Sequence, residues 1–90
     1  MYQWDDRKSL LNIRKHGISF DEARDHIFEG PNLLATGVAY EKDEVRHAVI
    51  GKFNGRYYTG IFTIRSGVIR IISVRRSRRE EESEAKRQGI

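Results

Sequence analysis

The apolar positions of the chain follow a helical spacing in its first third and alternate with polar positions from residue 33 onwards. Asp5 stands in an N-cap position before a helical segment that reaches His16. Gly17 follows as a residue that readily ends a helix. The residues ahead of this helix, Tyr2 to Trp4, are compatible with a short strand.

A second, short helix is predicted from Phe20 to about Phe28. Ser19 and Glu22 have the S-x-x-E spacing of a capping box, in which side chain and backbone bond each other reciprocally. Pro31 ends this helix, because proline has no N–H to continue the hydrogen-bond ladder.

Short turns separate the β-rich part of the chain into strands. Asn54 and Gly55 tolerate the positive φ angles of a tight hairpin turn, and Ser66 with Gly67 predicts a second turn. Turns this short join antiparallel neighbours. The first strand is weak, because Gly37 interrupts it. The predicted strands are residues 33–39, 46–53, 56–64 and 68–74.

The tail from Arg75 to Gln88 is charged throughout and contains no β-branched residue, which favours a final helix. This helix has no clear apolar stripe. The expected fold class is therefore α+β. Two N-terminal helices pack on a twisted antiparallel sheet of three to four strands, and a C-terminal helix follows. No linker or repeat divides the chain, so residues 1–90 are expected to form one domain.

Composition excludes several classes of protein. The 90 residues contain no cysteine, which rules out a disulfide scaffold, a thiolate metal cluster and a thiol nucleophile. No run of 18 apolar residues suits a membrane span. The N-terminus lacks the basic-then-apolar order of a signal peptide, so the cytoplasm is the expected compartment.

The charge is distributed in blocks that the formal net charge of +4 conceals. Residues 45–79 hold nine basic side chains and no acidic one, whereas residues 1–44 hold six basic and nine acidic ones. Residues 80–90 hold two basic and four acidic ones. A uniformly cationic middle is typical of a surface that binds a polyanion, although a solvated strand face would show the same block.

Five arginines come from the predicted strands or their ends and form the main candidate binding set. A guanidinium binds phosphate through a planar fork, and the neighbouring Tyr57, Tyr58 and Thr63 add aromatic faces and hydroxyl donors. This combination suits single-stranded nucleic acid, although ordinary sheet packing explains the tyrosines equally well. The arginines are Arg46, Arg65, Arg70, Arg75 and Arg76.

Candidate acids and bases are few. His47 lies inside the cationic block and is either a cross-strand packing residue or a group for proton transfer or base stacking. Glu44 is the acidic residue nearest to this block in sequence. The chain contains no Gly-rich phosphate loop, no nucleophile elbow and no pair of histidines at ligand spacing, so neither a metal nor a cofactor is predicted.

Two sets of motifs resemble the BrnT family of toxins over residues 2 to about 81. The first set is Trp4-Asp5, Lys8, Asn12, Lys15-His16-Gly17 and Phe20-Asp21-Glu22-Ala23. The second set is Glu44-x-Arg46, Ile50-Gly51, Thr63-x-Arg65 and Arg70-Ile71-Ile72-Ser73-x-Arg75-Arg76. Several motifs in the right order make the resemblance specific.

The resemblance implies a bacterial type II toxin with a RelE-like fold, whose helices pack on an antiparallel sheet that carries the RNA site. Such toxins cleave RNA and halt translation. The resemblance further implies a ribbon-helix-helix antitoxin of the BrnA type as partner. A complex of two toxins and two antitoxins would bind its own promoter DNA through the antitoxin and repress it.

For metal-independent RNA cleavage, arginines must stabilise the charge that develops on phosphorus. On this interpretation Arg65 and Arg75 contact the scissile phosphate, and Glu44 or His47 is the base. The residues predicted to bind RNA are Arg46, Arg70, Arg76, Tyr57 and Thr63. Two alternatives stay open, namely a non-enzymatic nucleic-acid-binding module and a protein-interaction domain whose cationic face meets an acidic partner.

Overall fold

Five strands, three α-helices and one π-helical turn follow one another along the chain. The computed structural model describes the backbone of residues 1–90 and every side chain except that of residue 36. None of the described helices is long and apolar enough to cross a lipid bilayer. The elements are β1 (Tyr2–Gln3), α1 (Asp6–His16), α2 (Phe20–Ala23), the π turn (Arg24–Phe28), β2 (Asn32–Glu41), β3 (Glu44–Phe53), β4 (Arg56–Arg65), β5 (Val68–Arg76) and α3 (Arg79–Arg87).

The sheet is mixed and has the strand order β1-β5-β4-β3-β2. Strands β2 to β5 are antiparallel neighbours, whereas β1 pairs in parallel with β5. The prediction of an antiparallel sheet of three to four strands is therefore wrong. The short strand expected near Tyr2 to Trp4 is present as β1, but its partner lies more than sixty residues away, beyond the reach of local turn signals, so its place in the sheet was missed.

The predicted turns of the sheet are confirmed. Asn54 and Gly55 have φ angles of 52° and 73°, as the two central residues of a type I′ turn require. Ser66 and Gly67 adopt the same pair of positive angles between β4 and β5. In β2, Gly37 has a φ of 64° at the point where the register with β3 shifts, so the weak strand continues past its interruption.

The capping residues start the helices where the sequence predicts. The Asp5 carboxylate accepts a hydrogen bond from the backbone N–H of Arg7, and Gly17 ends α1 with a φ of 75°. Ser19 and Glu22 form the reciprocal capping box of α2. The second helix nevertheless differs from the prediction, because only its first four residues are α-helical and residues 24–28 widen into the π turn.

The main core lies between the sheet and the helical segment 20–28. Phe20 and Ile27 are fully buried there. Two glycines let the segment approach the strands closely: a Cβ at Gly51 would lie 3.2 Å from the Cα of Ile27, and a Cβ at Gly60 would lie 2.9 Å from the Phe28 ring. The buried residues of this core are Ile18, Phe20, Ala23, Ile27, Val49, Tyr58, Phe62, Ile71 and Val74.

The C-terminal helix covers part of the opposite face of the sheet. Ala85 of α3 packs on Ile50 and Tyr57, whose side chains alternate with those of the main core. Strand β5 runs to Arg76, so the helix begins at Arg79 and not in the first residues of the charged tail. The sheet therefore carries helices on both faces, with the helical segment 20–28 on one and α3 on the other.

Asn12 joins three parts of the fold. Its buried side chain donates to the carbonyl of Ile18 at 2.9 Å and accepts from the N–H of Val74 at 3.4 Å. Helix α1 is thereby attached both to the connection that follows it and to the edge of β5.

We predict that Asn12→Ala lowers the free energy of unfolding by about 1–3 kcal/mol, because it leaves a buried carbonyl and a buried N–H without partners. Urea denaturation measures the change. The control is Leu10→Ala on the same helix, where the side chain is 66% exposed and the expected change is within about 0.5 kcal/mol. Equal effects of the two substitutions would contradict the prediction.

Candidate functional site

A group of polar and charged side chains occupies the part of the sheet that α3 leaves uncovered. Side chains alternate between the two faces of a strand, and residues opposite each other on antiparallel strands share a face. On this face, β3, β4 and β5 place five of the residues that the sequence singles out. We call them the arginine face, and they are Glu44, Arg46, Thr63, Arg65 and Arg70.

The middle of the arginine face is a row that crosses the sheet. Gln3 pairs with Arg70 across β1 and β5, and Arg70 pairs with Thr63 across β5 and β4. The register of β3 and β4, in which His47 opposes Phe62, places Arg46 beside Thr63 one step further along. The row therefore alternates guanidinium groups with short polar side chains.

The polar residues of this row orient their neighbours. The Arg70 Nη1 atom donates to the Gln3 side-chain oxygen at 3.0 Å. The Thr63 hydroxyl, almost fully buried, donates to the Val45 carbonyl at 2.9 Å. These contacts hold Arg70 and Thr63 on the face without neutralising a positive charge.

Arg65 and Glu44 form a bidentate pair at the end of the face. The Nε and Nη2 atoms of Arg65 donate to the two Glu44 oxygens at 2.6 and 2.8 Å. This hydrogen bonding, chiefly, lowers the pKa of Glu44, and the charges of Arg46 and Arg70 lower it further. Glu44 is consequently a carboxylate at neutral pH.

Positive charge exceeds negative charge on the arginine face. Arg46 has only a long contact of 3.6 Å with Glu41, and its Nε is buried without a hydrogen-bond partner. Among the described side chains, no carboxylate forms an ion pair with Arg70. The face thus retains positive charge that the described carboxylates do not fully neutralise.

Arg75 lies at the other end of the same sheet face, beside α3. Its Nη1 and Nη2 atoms donate to the two oxygens of Glu81 at 2.7 and 2.9 Å. Arg75 lies opposite Thr59 on β4. Thr59 is six residues from Arg65 on the same strand, which corresponds to a separation of about 20 Å. The structure therefore does not bring Arg65 and Arg75 together.

A polar cluster around Glu81 anchors the start of α3. The fully buried Thr59 donates to a Glu81 oxygen at 3.1 Å and shares a hydrogen bond of 2.8 Å with Ser77. Hydrogen bonds from Arg75 chiefly, together with those from the Arg78 backbone and Thr59, lower the pKa of Glu81 to about 2. These polar contacts thus attach the start of α3 to the sheet, since the helix has no clear apolar stripe to bury.

Three of the predicted site residues lie away from the arginine face. His47 is on the opposite face, where its ring packs 5.2 Å from that of Phe62 and its Nδ1 accepts from the Gly37 N–H. Arg76 is also on that face, over the ring of Tyr58. Tyr57 is buried beneath α3, and its hydroxyl donates to the carbonyl of Ile90.

His47 borders an apolar groove of about 290 Å³ on the helical face. The groove is lined mainly by Phe28, Leu34, Phe62 and Ile69. These apolar surroundings favour the interpretation of His47 as a packing residue. The arginines of the arginine face lie on the other side of the sheet.

Sequence reasoning missed Gln3, Glu41, Glu81 and Thr59. The role of Glu81 could be predicted from the sequence. The cationic block contains no carboxylate, so its arginines must form ion pairs with acidic residues just outside it, such as Glu44 and Glu81. Gln3 and Thr59 have no such signal, since only the pairing of β1 and the docking of α3 bring them to the arginines.

The arrangement is suited to holding a phosphodiester. Guanidinium groups fixed by neighbouring side chains can bind phosphate oxygens and can stabilise added negative charge without reorganising. Among the described residues, no three histidine, aspartate or glutamate side chains come together as a metal-binding group.

Comparison with protein families identifies the class of protein. A family of ribonuclease toxins of type II toxin-antitoxin systems matches residues 4–81, which is most of the chain. The chain belongs to this family, BrnT. A comparison with curated proteins finds no match. The fold described above therefore belongs to a ribonuclease toxin family whose members act with an antitoxin.

We predict that the Glu81–Arg75 pair makes stability depend on pH in the acid range. The pKa of Glu81 is about 2 in the folded protein, below its usual value of 4.5, so the stabilisation is complete above about pH 4.5 and is lost as the pH falls towards 2. Glu81→Gln should therefore be less stable than the unmodified protein at neutral pH, and the difference should vanish near pH 2.

Urea denaturation at a series of pH values measures this difference. Glu80→Gln is the matched control, because Glu80 lies in the same first turn of α3 and is exposed. The control should follow the unmodified protein throughout. A difference between Glu81→Gln and the unmodified protein that is independent of pH would contradict the prediction.

Proposed function

We propose that this chain is an endoribonuclease that cleaves RNA on the arginine face by metal-independent attack of a ribose 2′-OH. The 2′-oxygen forms a bond to the adjacent phosphorus, and the bond from phosphorus to the 5′-oxygen breaks. The 2′ proton passes to a base, and the 5′-oxygen takes up a proton. The products are a 2′,3′-cyclic phosphate and a 5′-hydroxyl end.

The row formed by Arg46, Thr63 and Arg70, with Arg65 beside it, is the observation that carries this proposal. In-line attack places extra negative charge on the phosphate oxygens in the transition state. Guanidinium groups that are already oriented bind the transition state more strongly than the ground state. This difference lowers the activation barrier of the cleavage step. Arg75 stands outside this phosphate site, because it lies about 20 Å away along the strand.

Glu44 is the base that the geometry favours. It is ionised at neutral pH and lies on the arginine face, whereas His47 faces the other side of the sheet. The lowered pKa of Glu44 makes it a weak base. Its two hydrogen bonds to Arg65 also hold that guanidinium in position. Most of the rate enhancement then comes from the arginines.

We predict that Arg65→Ala and Arg70→Ala each lower the rate of RNA cleavage by about 10²–10³, the usual cost of losing one charge-stabilising donor. Purified protein is incubated with end-labelled RNA in EDTA, and the ends of the products are identified. The unmodified protein should yield 2′,3′-cyclic phosphate ends. In cells, the same substitutions should abolish growth arrest.

Arg56→Ala is the matched control, because Arg56 is an exposed arginine beside the β3–β4 turn, away from the arginine face. It should cleave at the unmodified rate. Binding with a steep salt dependence but no cleavage would favour the non-enzymatic nucleic-acid-binding module instead. Unchanged cleavage by Arg65→Ala would remove Arg65 from the site.

We further propose that the antitoxin is a ribbon-helix-helix protein of the BrnA type, that two toxins and two antitoxins assemble, and that the complex acts in the cytoplasm. Membership in a type II toxin-antitoxin family supports a protein partner. The finer details come from the resemblance of the motifs.

We predict that a small ribbon-helix-helix protein encoded beside this chain co-purifies with it and suppresses RNA cleavage. Light scattering on the purified complex should give the mass of two copies of each chain. The complex should shift promoter DNA in a gel, whereas the toxin alone should not. A stable complex with one copy of each chain would contradict the proposed stoichiometry.

A further inference from the structure

A second groove lies where helix α1 passes the edge of β5. Strand β1 pairs only with Ile69 and Arg70, so the edge of β5 beyond them has no strand neighbour. Helix α1 lies there instead, attached through Asn12 to the N–H of Val74. The space between them measures about 290 Å³, and its lining residues are Lys8, Leu11, Asn12, Lys15, Phe20, Ile72 and Ser73.

The groove combines an apolar floor with one cationic side, which helix α1 supplies. Phe20 is fully buried beneath it, and Leu11 and Ile72 leave part of their apolar surface open. Lys8 and Lys15 are exposed, and neither forms an ion pair with a described side chain. They lie seven residues apart on one side of α1, about 10 Å along its axis.

The groove is continuous with the arginine face. Ser73 opposes Ile61 on β4 and so projects on the same face as Thr63 and Thr59. Ser73 also lines the groove, at the point where β5 bulges at Ile72. An RNA chain bound across the arginine face would therefore reach the groove by crossing β5 beyond Arg70, where β5 has no strand neighbour.

We propose that this groove binds a nucleotide that flanks the scissile bond, with its base on the apolar floor and its neighbouring phosphates at Lys8 and Lys15. The inference rests on the proposed ribonuclease function. Two unpaired cations about 10 Å apart match separate phosphates better than one anion. The volume lies near the lower end for small-ligand pockets, which suits one unstacked base.

Binding of uncleavable RNA tests the proposal without relying on catalysis. The probes are a fluorescent twelve-nucleotide RNA of mixed sequence and a four-nucleotide RNA, both fully 2′-O-methylated so that no 2′-OH can attack. For the longer RNA, Lys8→Ala/Lys15→Ala should weaken binding about tenfold at physiological salt and reduce the salt slope by about 1.4, because each phosphate contact to a single strand contributes about 0.7. Affinity for the shorter RNA should stay unchanged.

The chain supplies a closely matched control. Arg7 and Arg14 have the same spacing on the same helix and lie one residue earlier, about 100° around its axis, outside the groove. Arg7→Ala/Arg14→Ala removes the same charge and should lower affinity for the longer RNA much less. An equal loss in both double variants would mean general charge attraction and would overturn the proposal.

Two further outcomes would also overturn it. An equal loss for both RNA lengths would place the lysines in the catalytic site or indicate a change of fold. A loss of antitoxin binding without a loss of RNA binding would make the groove a protein-docking surface. Failure of the unmodified protein to cleave RNA in EDTA would instead count against the proposed function, because the binding experiment involves no cleavage.

Discussion

Two bidentate arginine–glutamate pairs set the two ends of the open sheet face. Residues 45–79 contain no carboxylate, so the arginines of the sheet must find their partners just outside this block. Glu44 precedes the block and holds Arg65, whereas Glu81 follows it and holds Arg75. The first pair leaves the neighbouring arginines available to an anion. The second pair fixes α3, which has little apolar surface of its own to bury.

The arrangement separates the main apolar core from most of the positive charge within one sheet. Alternation places the apolar core on one face and most of the cationic side chains on the other. Arg70 is oriented by an uncharged amide and Arg46 has only a distant carboxylate, so both keep a charge that a phosphate can satisfy. A surface of this kind favours electrostatic catalysis, because the guanidinium groups are in place before charge develops.

Local signals predicted local structure well. Asp5 and Ser19 start their helices, and Asn54-Gly55 forms the hairpin, since each effect depends on residues within a few positions of one another. The structure brings only part of the predicted residue set together. Arg46, Thr63, Arg65 and Arg70 share one sheet face, but His47 lies on the opposite face. One position separates His47 from Arg46, and neighbouring residues in a strand point in opposite directions.

The sequence by itself determined the cationic block, the caps and turns, and the motifs that place the chain in the BrnT family. Tertiary structure decided the parallel pairing of β1, the position of α3 and the distance between Arg65 and Arg75. These features depend on contacts between residues that are far apart in the chain, such as Gln3 with Arg70 and Thr59 with Glu81. No local propensity reports such contacts, because their free energy arises only when the whole sheet brings the partners together.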